Sequence, residues 1–248
     1  SGIGLATARR LKNDGAMLTL WDINTDGLHH AGDSLGADTA TVDITDAEQV
    51  TQAIDDALSA HGRIDGVIHC AGVLHTGTFA ETSLEWHHRM LNVNLGGTFT
   101  VSHSALPALK QSGGSLILLA SVSAFYGPPD FSTYGASKAG VLSFAQALQV
   151  ELHDTNVHVG VVTPNFVDTP MLNEHNSTSR MVDTSSPLLT LETPNTIAEQ
   201  IVKNLQTRRF IAFTNWRCYV GYVLSRYFAW LAPFMMKQIW IRSSNRVQ

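Results

Sequence analysis

The chain has 248 residues, of which 44% are hydrophobic and 15% charged. That excludes a disordered or fibrous chain and gives room for one α/β domain whose core needs no disulfide or metal staple. Two cysteines, Cys70 and Cys218, form no framework pattern and no signal peptide opens the sequence, so the expected setting is reduced and cytoplasmic. The net charge of −5 is unevenly spread: residues 203–248 hold eight of the 16 Lys/Arg and none of the 21 Asp/Glu. The eleven histidines show no metal-ligand spacing, and nothing marks a nucleic-acid partner.

In chain order, apolar runs alternate with helical patterns. A helix over 2–14 ends at Gly15 and leads to a strand over 16–22. A short helix near 25–35 precedes a strand near 39–42. Asp46 caps a helix with Val50, Ile54, Ala57 and Leu58 at helical spacing, and Gly62 closes it. The strand 65–70 follows. One long helix over 84–111 leads to the apolar run 115–120, and another over 132–153 leads to 157–163. A polar stretch, 165–190, reads as a mobile lid. A helix over 195–206 and the run 210–214 complete the pattern. Strands alternating with long helices predict a doubly wound, Rossmann-like parallel sheet in a single α/β domain, 1–214, followed by a basic, aromatic extension, 215–248.

The chain opens on Ser1-Gly2-Ile3-Gly4 and passes at once into a helix. This is the back half of a glycine-rich dinucleotide turn, where glycines admit a pyrophosphate to the backbone and a helix N-terminus offers free N–H groups. The strand that should lead into it is absent from this numbering, and it would belong in the middle of the sheet. Asp22 ends the next strand, about twenty residues on, where an acid bonds the ribose hydroxyls of NAD and repels the extra phosphate of NADP. The plainer reading of Asp22 is a cap on the following turn. Ile23, Asn24 and Ser1 supply no cation for a phosphate, which favours NAD.

Tyr134 and Lys138 are four residues apart and share a helix face. For a tyrosine to act as a base near neutrality its pKa must fall by about 3 units, roughly 4 kcal/mol. A nearby ammonium and a positively charged nicotinamide ring can stabilise the phenolate. The surrounding motifs fall in a fixed order: Ser1-Gly2-Ile3-Gly4, Asp43-Ile44, Cys70-Ala71-Gly72, Asn94 within Asn92–Gly96, Ser121 thirteen residues before Tyr134, and Pro164-Asn165-Phe166-Val167-Asp168-Thr169. With these, the sequence resembles the tyrosine-dependent short-chain dehydrogenase/reductase family from Ser1 to about Thr214.

The resemblance implies a catalytic set of Asn94, Ser121, Tyr134 and Lys138. Tyr134 would take the alcohol proton, Lys138 would lower its pKa and hold the nicotinamide ribose, and Ser121 would orient the substrate oxygen. Asn94 would kink its helix and hold a relay water. Cofactor contacts would come from Ser1, Gly2, Ile3, Gly4, Asp22, Asp43, Ile44, Cys70, Ala71, Gly72, Tyr134, Lys138, Pro164, Val167 and Thr169. The resemblance also implies a homodimer or homotetramer through the two long helices. Cys70 stands where the family has asparagine, and Asn165 where it has glycine; asparagine tolerates the left-handed conformation such a turn requires.

Val73, Leu74, Phe125, Tyr126, Phe131, Met171, Leu188 and Leu189 read as walls of an apolar pocket for a lipophilic secondary alcohol or ketone, or else as core. The tail repeats Trp216, Tyr219, Val220, Val223, Tyr227, Trp230, Leu231 and Phe234 at helical spacing, with Pro233 expected to break or kink it. Its longest uncharged stretch is too short to span a bilayer, leaving an interfacial helix or a helix over the active site or a subunit interface. The expected function is an NAD-dependent oxidoreductase of CH–OH groups. An NADPH-dependent carbonyl reductase and a non-catalytic cofactor-binding regulator are the alternatives.

Overall fold

A computed structural model describes residues 1–173 and 191–244; most of the expected lid, with Leu188 and Leu189, lies outside the described residues. Its elements are α1 (Gly2–Asn13), β1 (Thr19–Asp22), α2 (Thr25–Leu35), β2 (Asp38–Thr41), α3 (Ala47–His61), β3 (Gly66–His69), α4 (Leu84–Leu91), α5 (Gly97–Ser112), β4 (Ser115–Leu119), α6 (Ser132–Glu151), β5 (His158–Thr163), α7 (Pro170–Asn173), α8 (Pro194–Thr207), β6 (Ile211–Phe213), α9 (Trp216–Tyr227) and α10 (Leu231–Ser244). Side-chain caps fix the helix starts. Asn24 accepts from Gly27 N, and Asp46 accepts from Glu48 N and Gln49 N.

All strand pairs are parallel. β1 pairs with β2, while β3-β4-β5-β6 form a separate four-stranded sheet. Trp21 and Val67, one from each piece, pack against the same cluster of Val42, Ile44, Val50, Ala53 and Val101. The fold is a single Rossmann-like α/β domain.

β4 shows why the central strands carry continuous apolar runs. Leu116 and Leu118 face Ala105, Leu109, Val141 and Ala145 of α5 and α6. Ile117 and Leu119, pointing the opposite way, pack with Ile197 and Ile201 of α8. Both faces are covered, so no position in the strand is left for a polar residue facing water.

The segment 84–111 is helical throughout, as expected, and carries a π-helical turn, Asn92–Gly96, where α4 passes into α5. A π turn inserts one residue, and here it points Asn94 into the core, where it is fully buried. The tail breaks at Phe228–Trp230 rather than at Pro233. Pro233 sits in the first turn of α10, where a missing N–H costs no helical hydrogen bond.

Candidate active site

The Ser1–Gly4 turn runs straight into α1, whose first N–H groups have no side-chain cap. Gly2 adopts φ +49°, a left-handed conformation that favours glycine. A Cβ there would lie 3.3 Å from Thr169 Cγ2, and one on Gly4 would lie 3.5 Å from Cys70 Cβ. The turn, the end of β3 and the 164–169 segment therefore meet with only hydrogen-sized clearance. An open helix N-terminus beneath a glycine turn fits the pyrophosphate of a dinucleotide. Asp22 closes β1, its Oδ1 fixed by a hydrogen bond from Asn24 N at 3.0 Å.

Beside this turn lies a cleft of about 110 Å³ that contains Ser121, Tyr134 and Lys138 together with Ile3, Cys70, Gly72, Pro164, Val167 and Thr169. Two separate elements deliver the first three side chains. Ser121 follows β4 and caps a short 3-10 turn, accepting from Ser123 N at 3.1 Å. Tyr134 and Lys138 project from the first turns of α6, with Lys138 Nζ 5.8 Å from the centre of the Tyr134 ring. Lys138 Nζ also donates to Leu119 O at 2.9 Å, which ties α6 to the end of β4.

Burial governs the titration of this group. It pushes the Tyr134 phenol up to about 12, with the Ser121 hydroxyl bond pulling the other way. It pushes the Lys138 ammonium down to about 8. The Cys70 thiol is raised to about 12 by burial, against the pull of the Lys138 charge, so it stays protonated. Burial thus favours a neutral phenol over the phenolate that a base needs.

Asn94 does not line the cleft; it holds the cleft's floor. Its Oδ1 accepts from Val73 N at 2.7 Å, and its Nδ2 donates to Val73 O at 2.9 Å and Ser137 Oγ at 3.1 Å. Its own carbonyl accepts from Thr98 Oγ1 at 2.6 Å. With both amide hydrogens engaged, its side chain acts as a clamp between the 72–73 loop and α6.

Other expected residues are placed unevenly. Leu74, Phe131 and Met171 line the cleft. Phe125 and Tyr126 do not; they wall a different cavity against the tail. Ile44 is buried and packs on Gly97, while Asp43 is exposed and accepts from Thr45 N and Oγ1. Ala71 is exposed, and Asp43, Ile44 and Ala71 are absent from the cleft lining. Asn165 is not left-handed: among the described non-glycine residues only Asp130 and Arg208 have positive φ. Its N–H instead donates to Glu192 Oε2 at 3.0 Å.

The sequence reading missed Ser137 and Glu192. Ser137 is fully buried and donates to Tyr134 O at 2.7 Å. Its place inside Tyr-Gly-Ala-Ser-Lys, on the Lys138 side of the helix, was the available signal. Glu192, 9% exposed, accepts from Asn165 N, Thr214 Oγ1 and Asn215 Nδ2, and its backbone pairs with Phe166 and Asp168. An acid 27 residues from its partner leaves no local pattern to read.

With this geometry in place, comparison with known proteins gives a consistent result. The short chain dehydrogenase family matches residues 1–180. The 3-oxoacyl-[acyl-carrier-protein] reductase of Thermotoga maritima is 33% identical over 177 residues, 69% of this chain and 72% of that protein. An uncharacterized oxidoreductase of Staphylococcus aureus is 35% identical over 184 residues, 73% of this chain and 80% of that one. A 3-ketoacyl-(acyl-carrier-protein) reductase from Brucella melitensis, solved with NADH, has a TM-score of 0.78 at 26% identity, covering 86% of this chain and 90% of that one. A short chain dehydrogenase/reductase from Burkholderia phymatum, solved with NAD, has a TM-score of 0.79 at 23% identity, covering 90% and 88%, and it bears on the fold alone. The chain belongs to the short-chain dehydrogenase/reductase family and is an oxidoreductase of CH–OH groups that works with NAD or NADP.

Proposed function

We propose that this oxidoreductase moves a hydride between NAD and a lipophilic secondary alcohol or ketone, with Tyr134 as the acid/base. The observation that carries the reading is the convergence of Ser121, Tyr134 and Lys138 on one cleft whose other walls are largely apolar. Bound at the Ser1–Gly4 turn, the cofactor supplies or accepts the hydride. The chain supplies the proton path. Ser121 Oγ orients the substrate oxygen, Tyr134 Oη gives or takes its proton, and the Lys138 ammonium, 5.8 Å from the centre of the Tyr134 ring, favours the phenolate. Asn94 and Ser137 are positioning residues, fixing the 72–73 loop and the Tyr134 backbone. Leu74, Phe131, Met171 and Leu172 form the apolar wall.

NAD is favoured over NADP by Asp22, whose carboxylate repels a 2′-phosphate. The test follows the reduced cofactor's absorbance with each dinucleotide and a series of secondary alcohols of increasing chain length. Wild type should prefer NAD, with kcat/KM rising along the series, and Asp22→Ala should shrink the preference by on the order of 10-fold, about 1.4 kcal/mol. Tighter use of NADP by wild type would reject the role given to Asp22, and a flat length series would reject a lipophilic substrate.

A homo-oligomer through α5 and α6 accords with their exposed apolar surface. Phe99 of α5 is 44% exposed and Val150 of α6 69%, and Phe99 packs on Phe144 with ring centres 4.8 Å apart. Light scattering should find a dimer or tetramer, and Phe99→Glu should shift it towards monomer. A wild-type monomer would exclude this assembly.

A further inference from the structure

α9 is an amphipathic helix with its apolar side turned outwards. At the helical period, Trp216, Tyr219, Val220, Val223 and Tyr227 fall within an arc of about 100°. Most of this stripe is open to solvent: Trp216 is 70% exposed, Tyr219 54% and Tyr227 75%, with Tyr219 also meeting the Phe213 ring edge-on at 5.4 Å. Arg217 and Arg226, both exposed, lie at its two edges. The other side of α9 does the packing: Cys218 is buried, and Tyr222 meets the Phe125 ring edge-on at 5.0 Å. Phe228, Trp230 and Phe234 carry the exposed aromatic surface on into α10, where Lys237 is also exposed.

A second feature lies beneath this surface. A cavity of about 380 Å³ separates Phe125, Tyr126 and Gly127 from Ala229, Pro233 and Met236 of the tail. The catalytic cleft is lined by Ser121, Val122 and Ser123 of the same short segment. One stretch of chain, 121–127, thus contributes to both spaces.

We propose that the α9–α10 surface docks in the plane of an anionic lipid bilayer, and that lipophilic substrate passes from that bilayer through the tail cavity to the catalytic cleft. The substrate route rests on the lipophilic alcohol proposed above; the docking does not. Charge complementarity selects the partner, because the stretch 216–244 that forms α9 and α10 carries Arg217, Arg226, Lys237 and Arg242 and no Asp/Glu. Tryptophan, tyrosine and arginine are the residue types that settle at the headgroup layer. Spanning is excluded for these elements, since no described helix is long and apolar enough to cross a membrane. A second copy is the other occupant of an exposed apolar face, but a symmetric pairing would set the two cationic tails against each other.

Flotation of the full chain with vesicles of phosphatidylcholine, or of phosphatidylcholine and phosphatidylserine at roughly 7:3, tests the docking. Affinity for the anionic vesicles should be at least ~10-fold higher and should fall with salt. The triple reversal R217E/R226E/K237E should abolish that preference, and W216A/Y227A/W230A should weaken recovery while leaving the fold intact by circular dichroism. With substrate presented in anionic vesicles, the charge reversal should lower kcat/KM for a long-chain secondary alcohol and leave that for a water-soluble one unchanged. Equal recovery from both vesicles, or none, overturns the docking. Self-association lost in the same variants without vesicle binding would assign the surface to a second copy. Turnover of a water-soluble alcohol without flotation overturns the docking alone. Flotation without turnover overturns the oxidoreductase mechanism alone.

Discussion

Tyr134→Phe lowers kcat for a secondary alcohol by about 10³-fold, within the 10²–10⁴ that a positioned acid/base contributes. The substitution removes one oxygen and little else. Phenylalanine keeps the edge-on contact with Phe131, at 6.3 Å, and the ring beside Lys138 Nζ, so the helix start and the cleft wall persist. Cofactor affinity, read by fluorescence titration, should therefore stay within a few-fold of wild type. The pH profile adds a second check. Burial pushes Lys138 down to about 8, and its ammonium stands 5.8 Å from the centre of the Tyr134 ring. As pH rises through that value the lysine becomes neutral, the phenolate loses support, and wild-type alcohol oxidation should fall. Undiminished turnover in Tyr134→Phe would remove tyrosine from the mechanism.

Acidification should unfold the protein through His69. This residue ends β3, is 7% exposed, and has its imidazole pushed down to about 3, first by burial and then by the Lys138 charge. In the unfolded chain an imidazole binds a proton below about 6.5. Between those values the unfolded state binds the proton that the folded state refuses, so stability is complete above about 6.5 and is lost as pH falls towards about 3. From pH ~7.5 to ~4.5 the loss is about 2.5–3 kcal/mol, on the order of 100-fold in the folding equilibrium. Urea titrations of wild type and His69→Met at the two pH values isolate the effect. The methionine variant should lose less stability by that amount, and equal losses would clear His69 of the role.

Legibility from sequence followed the range of the interactions involved. Helices with local caps, such as those begun by Asn24 and Asp46, were readable within a residue or two because cap and helix are neighbours in the chain. The π turn at Asn92–Gly96 was not, since inserting one residue hardly disturbs an apolar periodicity that resumes on either side. Tyr134, Lys138 and Ser121 were readable because their spacing is short and their chemistry unusual. The Asn94 clamp spans 21 residues to Val73 and 43 to Ser137, and pairings of that length leave no period to detect. The same reason separated Phe125 and Tyr126 from the catalytic cleft: nearness in sequence to Ser121 did not decide which way the 121–127 segment turns its rings.

Glu192 has a mechanical meaning. Its two oxygens join Asn165, in the strip that borders the cleft, to Thr214 and Asn215, where α9 is hinged to β6. Because Asn215 is also the residue that caps α9, any tilt of that helix pulls on the carboxylate from one end. One side chain thus stands between Asn165 and the cap of α9. The tail and the reaction chamber are thereby geared together: displacing one without loosening the other requires the clasp at Glu192 to open.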